Sequence, residues 1–482
     1  MAEALAAIDS SRAHLDPDYP RFHVAPPIGR LNDPNGLVVV DGTYHAFYQF
    51  GPFFPARRLI YWGHASSTDL LQWQTHAPAI APSSWYDRSG VYSGGAVVAD
   101  GTVWLHYTGN VKDADDRRSS YQCAVTTDDL ATFVKHPANP LIPSPPPGYT
   151  AHVRDPQIID DGDGYLMLLG AQRADETGCI LAYRASSLDS WEFAGELTFP
   201  GVDGLDRFGY MWECPNLLRV PDEQTGAIRD VLIFCPQGID PVGDGFVNIF
   251  ACGYMVGRLD GTVFHTEGDF IELDRGFEFY APQAFRAPSG EAPVLLGWVG
   301  NASEDDQPSL RDHGWVHVLS IPRTLTLRDG VLRQRPAVDA EPARALALQG
   351  TTVGADPVVI DELTGATSYW LTLEVEPEAS AWELTLAGGG DSRVALTFRP
   401  GEMTVDRSAT RYPHGGRRTL ALDMPARVRV DLIHDRSVTE VFVDDGRIAF
   451  SMRTFLAPGE RTLSIAADAG LRVVAARVGL LG

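Results

Sequence analysis

The stretch Asn32-Asp33-Pro34-Asn35-Gly36, followed directly by Leu37-Val38-Val39-Val40, places a carboxylate at the entrance of a predicted β-strand. Proline removes a backbone donor and disfavours helix in the residue before it, while glycine permits a turn. Asp33 is therefore expected to be held where a strand begins. Taken alone, such a pentapeptide is more typical of a polar loop than of a functional site. The chain, however, repeats the whole unit.

Five units share one plan, in which a polar head is followed by an apolar strand, a turn and a second strand, usually rich in aromatic residues. In the first three units the turn contains Asp-Gly, as in Asp41-Gly42, and Asp-Gly between alternating strands is a strong hairpin signal. The heads begin at Asp33, Ser93, Asp155, Cys214 and Ala281. The steps between them are therefore 60, 62, 59 and 67 residues.

Steps of this length are too long for one hairpin and fit a four-stranded blade with its loops. Five such units predict a five-bladed β-propeller, in which radial repetition removes exposed sheet edges. Equivalent heads then open onto the same end of the central channel. We therefore expect Asp33, Asp155 and Glu213, each at or beside a head, to converge although they lie far apart in the sequence.

The pattern changes after the strand Thr324-Leu325-Thr326-Leu327. Residues 1–333 are assigned to the propeller, and residues 334–349, rich in Ala and Pro, are predicted to be a linker with a short helix. Residues 350–482 contain alternating strands such as Trp370-Leu371-Thr372-Leu373-Glu374-Val375, a pattern typical of a β-sandwich. The predicted fold class is thus all-β, a five-bladed β-propeller followed by a C-terminal β-sandwich.

Composition restricts the possible functions. A net charge of −24 over 482 residues argues against nucleic acid and anionic membrane as partners. No apolar run of about 18 residues predicts a membrane span. The five scattered cysteines are expected to be reduced and mostly buried, and neither a metal nor a cofactor is expected. Met1 to Asp18 lacks the apolar core of a signal peptide, so a cytoplasmic protein is expected.

Three acids at the mouth of one channel fit glycoside hydrolysis. The retaining form of this reaction uses a carboxylate nucleophile and a carboxylic acid about 5–5.5 Å apart, in environments that favour opposite protonation states. Glu213 lies between an aromatic residue and a cysteine, a poorly solvating setting that favours the protonated form. We therefore predict that Glu213 is the acid/base and Asp33 the nucleophile. Arg154 is expected to keep the adjacent Asp155 ionised by charge and hydrogen bonding.

Six motifs in this order resemble those of the invertase and fructanase group, glycoside hydrolase family 32, along nearly the whole chain. They are Asn32-Asp33-Pro34-Asn35-Gly36, Tyr61-Trp62-Gly63-His64-Ala65, Tyr92-Ser93-Gly94, Arg154-Asp155-Pro156, Trp212-Glu213-Cys214-Pro215 and Phe279-Tyr280-Ala281-Pro282-Gln283. The resemblance implies a propeller with a β-sandwich, with Asp33 as nucleophile and Glu213 as acid/base. It also implies that Asp155 stabilises the transition state by holding fructose hydroxyls.

A substrate-binding set for the terminal fructosyl unit is implied by the same motifs. It consists of Asn32, Gln49, Trp62, Ser93 and Arg154. Tyr280, from the last motif, and Trp298, at the end of the fifth unit, are expected to line the same pocket.

Three departures from the family's pattern leave the leaving group open, and one of them is at Ser93, which is followed by Gly94-Gly95 and preceded by Tyr92 instead of the commoner Phe. Arg30 stands where these enzymes often carry tryptophan, and residues 51–58 also differ. If the loop after Gln49 borders the mouth, we expect a rim formed by Arg30, Phe53, Phe54 and Arg57. Aromatic rings there would stack on a second sugar, and arginines would bind its hydroxyls or a phosphate. In the alternative, the phenylalanines are buried and the arginines merely solvated.

The predicted function is that of an invertase-like glycosidase, an exo-acting and retaining β-fructofuranosidase. It would hydrolyse sucrose and short fructo-oligosaccharides through a covalent fructosyl-enzyme. The alternative is a fructosyltransferase, or a fructan-processing enzyme acting on levan or inulin, with the same acids. A non-catalytic sugar-binding propeller is less favoured, because binding alone needs no acid/base pair. The expected partner is a small carbohydrate, and the sequence leaves the oligomeric state open.

Overall fold

The computed structural model describes residues 1–285, 291–338, 344–377, 381–423 and 425–480. The chain begins with helix α1 (Ala2–Ser10), and the described residues are otherwise mostly β-strand. Short 3-10 helices lie at Ala13–Leu15, Leu205–Arg207 and Asp361–Leu363. None of the described helices is long and apolar enough to cross a membrane. All five cysteines are buried free thiols, as predicted.

Five sheets, in chain order, form the blades of a propeller, which confirms the predicted fold class. Blade 1 contains β1 (Gly29–Val40), β2 (Thr43–Gly51), β3 (Tyr61–Ser67) and β4 (Gln74–Thr75). Blade 2 contains β5 (Gly90–Ala99), β6 (Thr102–Lys112), β7 (Arg118–Thr127) and β8 (Val134–Lys135). Blade 3 contains β9 (Tyr149–Asp160), β10 (Tyr165–Arg173), β11 (Gly178–Ser187) and β12 (Ser190–Glu196).

The last two blades carry extra short strands. Blade 4 contains β13 (Met211–Pro221), β14 (Ile228–Gln237), β15 (Gly253–Asp260), β16 (Val263–Thr266) and β17 (Ile271–Glu272). The fifth blade begins with β18 (Tyr280–Phe285) and β19 (Val294–Val299), followed by helix α2 (Pro308–His313). The chain then forms β20 (Trp315–Val316), which belongs to the sheet of blade 1, and returns to the fifth blade with β21 (Val318–Leu319), β22 (Arg323–Arg328) and β23 (Val331–Pro336). Strand β20 pairs in parallel with β1, so the end of the ring is joined to its beginning.

Each innermost strand contains one extra residue at its head. In β1, β5, β9, β13 and β18, the pairing with the second strand of the blade shifts by one residue at that point. Such a bulge bends the strand and redirects a side chain. Asp155, Cys214 and Ala281 occupy equivalent positions in three of the bulges, with φ of 64°, 48° and 48°. The repeated bulge is the local feature that sets the direction of the side chains at the heads.

Amide side chains two positions beyond the head residues connect different blades. Gln157 accepts a hydrogen bond from the backbone N–H of Leu217 at 2.7 Å. Gln283 accepts one from the N–H of Leu37 at 3.2 Å and donates one to the carbonyl of Gly94 at 2.8 Å. Blades that lie far apart in sequence are therefore tied together around the channel. These amides of the head motifs hold the ring of blades in register.

The C-terminal strands form two sheets around one hydrophobic core, as predicted for a β-sandwich. In the described part of the chain, the first sheet consists of β24 (Arg344–Ala345), β25 (Thr352–Val353), β27 (Ser368–Glu376), β32 (Val428–Asp435), β33 (Val438–Val443), β34 (Ile448–Arg453) and β36 (Leu471–Leu480), in the order β24-β36-β27-β32-β33-β34 with β25 beside β36. The second sheet consists of β26 (Val358–Val359), β28 (Trp382–Ala387), β29 (Arg393–Arg399), β30 (Gly401–Ala409), β31 (Arg417–Leu422) and β35 (Thr462–Ala467), in the order β26-β35-β28-β29-β30-β31.

The linker predicted for residues 334–349 lies between these domains. Its first residues belong to β23, which ends at Pro336, and β24 begins at Arg344. The short helix predicted for this segment falls in part on residues 339–343, which lie outside the described residues. On either side of that gap the backbone is extended or turned, not helical.

A network of buried charges joins the propeller to the sandwich. Arg323 of β22 donates to Asp274 at 2.9 Å and also binds Glu440 of β33. His23 lies between Asp435 at 2.9 Å and Glu440 at 3.1 Å. None of these side chains is exposed. Burial lowers the pKa of His23, but its bonds to the two carboxylates outweigh this and raise it overall.

Candidate active site

A cavity of about 490 Å³ opens where the heads of the blades meet. Its wall includes the three acids that the sequence predicted to converge, Asp33, Asp155 and Glu213. Five of the seven predicted substrate-binding residues also line it, namely Asn32, Gln49, Arg154, Tyr280 and Trp298. The repeat spacing thus brought together side chains from blades 1, 3, 4 and 5 at one site.

Neutral donors surround Asp33. The side-chain amide of Asn32 donates to Oδ1 at 3.1 Å, and that of Gln49 donates to Oδ2 at 3.0 Å. The hydroxyl of Ser93 also donates to Oδ2. Burial raises the pKa of Asp33, the hydrogen bond from Ser93 opposes the rise, and the charge of Glu213 adds to it. The carboxylate is oriented by these bonds and has no cation bound to it in the described structure.

Glu213, unlike Asp33, is bound by a cation. Arg154 donates from Nε at 2.7 Å and lies 2.6 Å away through Nη2, both contacts being to Oε1. Oε2 accepts from the amide of Gln237 at 2.6 Å and from the hydroxyl of Tyr280 at 2.7 Å. One carboxylate of the site is therefore held by a cation and two further donors, whereas Asp33 is held by neutral donors alone.

The prediction that Glu213 lies in a poorly solvating environment is wrong. The ring of Trp212 is fully buried and stacks on Phe234 at 4.4 Å, and its indole N–H donates to the carbonyl of Phe208. Cys214 faces Asp155 instead of Glu213. Neighbours in a strand point to opposite faces, so residues adjacent in sequence do not define the surroundings of the acid between them.

Asp155 is bound by Cys214, which lies on the first strand of blade 4. It accepts a hydrogen bond from the backbone N–H of Cys214 at 3.1 Å, with the thiol of Cys214 at 3.5 Å from the same oxygen. Burial raises the pKa of Asp155 to about 7, the charge of Glu213 adds to the rise, and Arg154 opposes it without overcoming it. The prediction that Arg154 keeps Asp155 ionised is therefore wrong. The guanidinium is bound to Glu213 instead.

Two predicted substrate-binding residues do not line the cavity. Trp62 is completely buried, and its indole N–H donates to the carbonyl of Tyr92 at 3.0 Å. Ser93 is also buried and contacts the site through Asp33. In this structure both residues support the wall of the cavity, Trp62 from behind it.

Two of the four residues predicted to form the rim line the cavity. Arg30 and Phe54 line the cavity, with the guanidinium of Arg30 at 5.6 Å from the centre of the Phe54 ring. Arg30 also forms an ion pair with Asp305 at 2.9 Å. Phe53 and Arg57 are not part of the cavity wall, because Arg57 lies over the Phe53 ring at 4.0 Å and pairs with an acid of α1.

Other residues in the wall were not foreseen, among them Arg58, Arg118, His152, Tyr210 and Gln237. A signal for Gln237 was present, because it ends the second strand of blade 4 as Gln49 nearly ends that of blade 1. Each of these glutamines donates to the acid on the first strand of its blade. Comparing equivalent positions in the repeat would have found it. The same comparison gives no signal for the arginines, which lie on a loop and at the start of a third strand.

Within the described residues, no group of three or more His, Cys, Asp or Glu side chains is arranged to hold a metal ion.

Comparison with known families matches both domains. The model of the glycosyl hydrolases family 32 N-terminal domain matches residues 23–336, and that of the family 32 C-terminal domain matches residues 332–478. The chain is 35% identical over 468 residues to a sucrose-6-phosphate hydrolase of Bacillus subtilis, covering 94% of this chain and 92% of the relative. It is 34% identical over 464 residues to a raffinose invertase of Escherichia coli, again covering 94% and 92%.

Solved structures agree with these matches. The sucrose-6-phosphate hydrolase of Lactobacillus gasseri superimposes with a TM-score of 0.85 at 31% identity, covering 100% of this chain and 96% of that one. A family 32 β-fructofuranosidase of Bombyx mori has a TM-score of 0.85 at 29% identity, with coverage of 99% and 97%. The fold and its site are those of a glycoside hydrolase. The chain belongs to glycoside hydrolase family 32, to which its motifs had pointed.

Proposed function

We propose that this enzyme hydrolyses the bond between a terminal β-fructofuranosyl unit and its leaving sugar in sucrose-type substrates, with retention of configuration. The observation that carries the proposal is the contrast between two acids in one cavity. Asp33 is held by neutral donors, and Glu213 is held by Arg154, Gln237 and Tyr280. The relatives support the substrate class, since they are named as sucrose-6-phosphate hydrolases, a raffinose invertase and a β-fructofuranosidase.

In the first step, Asp33 attacks the anomeric carbon while Glu213 gives its proton to the leaving oxygen. The bond from carbon to that oxygen breaks, and an ester between the fructosyl unit and Asp33 forms. In the second step, Glu213 takes a proton from water, the water oxygen attacks the anomeric carbon, and Asp33 is released. The positive charge that develops on the sugar in each transition state is stabilised by the nearby carboxylate of Asp155.

The proton for the leaving group comes from the group of three acids as a whole. Buried carboxylates that lie close together repel one another, so they do not all ionise in the same pH range. Here burial and Glu213 raise the pKa of Asp155 to about 7, and burial also raises that of Asp33. The group therefore retains a proton near neutral pH, and its apparent pKa values belong to the coupled set. In the proposed mechanism this proton resides on Glu213 when the leaving oxygen is in place.

A closed channel base supports the removal of one terminal unit at a time. Beneath the acids the blades are tied together by Gln157 and Gln283, and Trp62 is completely buried behind the wall. A chain end fits such a cavity, whereas the interior of a fructan does not. The mouth, where Arg30 and Phe54 lie, then receives the leaving sugar.

The test is product analysis on sucrose with the purified enzyme. We expect glucose and fructose in equal amounts, while a deficit of fructose would instead indicate transfer to another sugar. With methanol added, retention predicts methyl β-fructofuranoside, and the α-anomer would exclude the double displacement. A wild-type enzyme that releases no fructose from sucrose, sucrose 6-phosphate, kestose, inulin or levan would overturn the proposed function.

A further inference from the structure

Two pairs of adjacent arginines each place one member in the wall of the cavity, and in each pair the two residues have different partners. Arg57 forms an ion pair with Glu3 at 2.9 Å, and Arg117 lies 3.7 Å from Asp115. Neither of them lines the cavity. The second member of each pair, Arg58 or Arg118, does line it.

Within the described structure, neither Arg58 nor Arg118 makes an ion pair. Each guanidinium lies instead near an aromatic ring of the cavity wall, Arg58 at 5.7 Å from the centre of Phe54 and Arg118 at 5.4 Å from that of Tyr92. Contact with a ring orients a guanidinium and leaves its N–H groups available for an anion. These two cations are thus positioned by the wall without a direct ion pair, although Asp305, the partner of Arg30, also feels the charge of Arg58.

Both cations lie on the side of the mouth formed by blades 1 and 2. Ile60, two residues after Arg58, accepts a hydrogen bond from the backbone N–H of Val91 at 3.0 Å. Val91 precedes Tyr92, the residue whose ring lies near Arg118. The backbone contact therefore joins the segment that carries Arg58 to the strand that supports Arg118.

The other basic residues of the cavity already have partners or are neutral. Arg154 is bound to Glu213, and Arg30 is paired with Asp305. Burial lowers the pKa of His152 to about 4, with the charges of Arg154 and Arg118 adding to the fall. The positive charge available to a ligand is therefore concentrated on two arginines, in a chain with a net charge of −24.

We propose that Arg58 and Arg118 form a phosphoryl subsite, which selects substrates phosphorylated on the leaving sugar, such as sucrose 6-phosphate. This inference rests on the proposed function, which puts the fructosyl unit against the acids and the leaving sugar at the mouth. Neutral hydroxyls do not require unpaired cations, whereas a phosphoryl group carries up to two negative charges and is repelled by Asp33 and Glu213. Guanidinium N–H groups match phosphoryl oxygens in charge and geometry.

The test measures kcat and KM for sucrose and for sucrose 6-phosphate in five proteins. These are the wild type, Arg58→Ala and Arg118→Ala, with Arg57→Ala and Arg117→Ala as matched controls. We expect the wild type to prefer the phosphorylated donor. Each cavity variant should lose about 10- to 100-fold in kcat/KM on that donor, mainly through KM, because a hydrogen bond to a charged group is removed. Sucrose turnover should change by less than about threefold, and the controls should behave as the wild type.

Product inhibition separates a phosphorylated sugar from a free anion. With sucrose as donor, glucose 6-phosphate should inhibit the wild type more strongly than glucose or inorganic phosphate does, and this advantage should disappear in the Arg58→Ala/Arg118→Ala double variant. Equal inhibition by inorganic phosphate and glucose 6-phosphate would overturn the assignment to a phosphorylated sugar. Equal losses on both donors, or no loss in either variant, would overturn the subsite itself. A wild type that cleaves neither donor would refute the proposed function instead.

Discussion

Arg154 binds Glu213 through Nε at 2.7 Å, although the acid next to it in the chain is Asp155. This contact joins the first strand of blade 3 to the first strand of blade 4. It places one positive charge within a group of three carboxylates and directs that charge to one member. We expect this arrangement to set the protonation of the group and hence the pH range of activity.

Replacing Arg154 should move the basic limb of the pH profile to higher pH. Without the guanidinium, the three carboxylates hold their shared proton more tightly, so the apparent pKa at which it is lost rises. For Arg154→Gln we expect kcat/KM on sucrose to fall by about 100-fold or more, since an oriented cation in a catalytic site is worth several kcal/mol. The measurement is kcat/KM from pH 4 to pH 9.

The matched control is Arg184→Gln, which removes another ion pair of blade 3. Arg184 binds Asp161 at 2.6 Å on the outside of the propeller. It should leave both the rate and the profile unchanged. An unshifted basic limb in Arg154→Gln would show that the guanidinium does not control the shared proton.

Asp155→Asn should shift the same limb in the opposite direction. Removing this carboxylate removes its repulsion of the other two, so the last proton of the site is lost at lower pH. Burial is the main cause of the raised pKa of Asp155, about 7, and the charges of Glu213 and Asp33 add to the rise, so this carboxylate interacts with both of the other acids. We expect kcat to fall by about 100-fold or more, with the normalised kcat/KM profile displaced toward acid. A profile displaced toward base, or one that is not displaced, would contradict the coupling.

Asp33→Asn tests the nucleophile. Its neighbours Asn32, Gln49 and Ser93 remain in place, so folding should change little. Loss of a nucleophile typically costs several orders of magnitude in rate. Asp163→Asn, in the turn between β9 and β10, is the control for carboxylate removal. If the Asp33 variant kept more than a few per cent of activity in a contamination-free preparation, another group would have to be the nucleophile.

Glu213→Gln should have an effect that depends on the leaving group. Fructosyl transfer from sucrose requires a proton on the departing oxygen, whereas a donor with an acidic leaving group does not. The variant should therefore lose far more activity on sucrose than on such an activated donor. Equal losses on the two donors would remove Glu213 from the role of acid.

The sequence predicted the parts of this site that depend on repetition. Spacing alone indicated that Asp33, Asp155 and Glu213 share one mouth, because equivalent positions of a propeller meet at one end of its channel. It did not predict which acid Arg154 binds, since that depends on the direction in which each bulge turns a side chain. Nor did it assign a role to Arg58, which lies in the 51–58 segment that departs from the family's pattern, or to Arg118, at the start of a third strand. The departure at Arg30 was visible in the sequence, but its pairing with Asp305 links segments about 275 residues apart and follows from the closed ring.

The charges between the domains make stability depend on pH. His23 has a raised pKa in the folded protein, because Asp435 and Glu440 together outweigh the effect of burial. A raised folded-state pKa contributes stability that is complete below the unfolded value, about 6.5, and is lost as pH rises through the folded value. The free energy of unfolding should therefore fall as the pH rises above about 6.5.

His23→Gln should remove most of this fall and should lower the free energy of unfolding at pH 7 by about 3 kcal/mol, since it breaks a buried charged network. The control is His434→Gln, on the same side of the sandwich and also buried. Burial lowers the pKa of His434 to about 4, so above pH 7 this histidine is neutral in both states and adds no pH dependence. Urea unfolding of the three proteins at pH 7, 8 and 9 measures the effect. A His23 variant whose stability falls as steeply with pH as that of the wild type would show that His23 is not the charge that titrates between the domains.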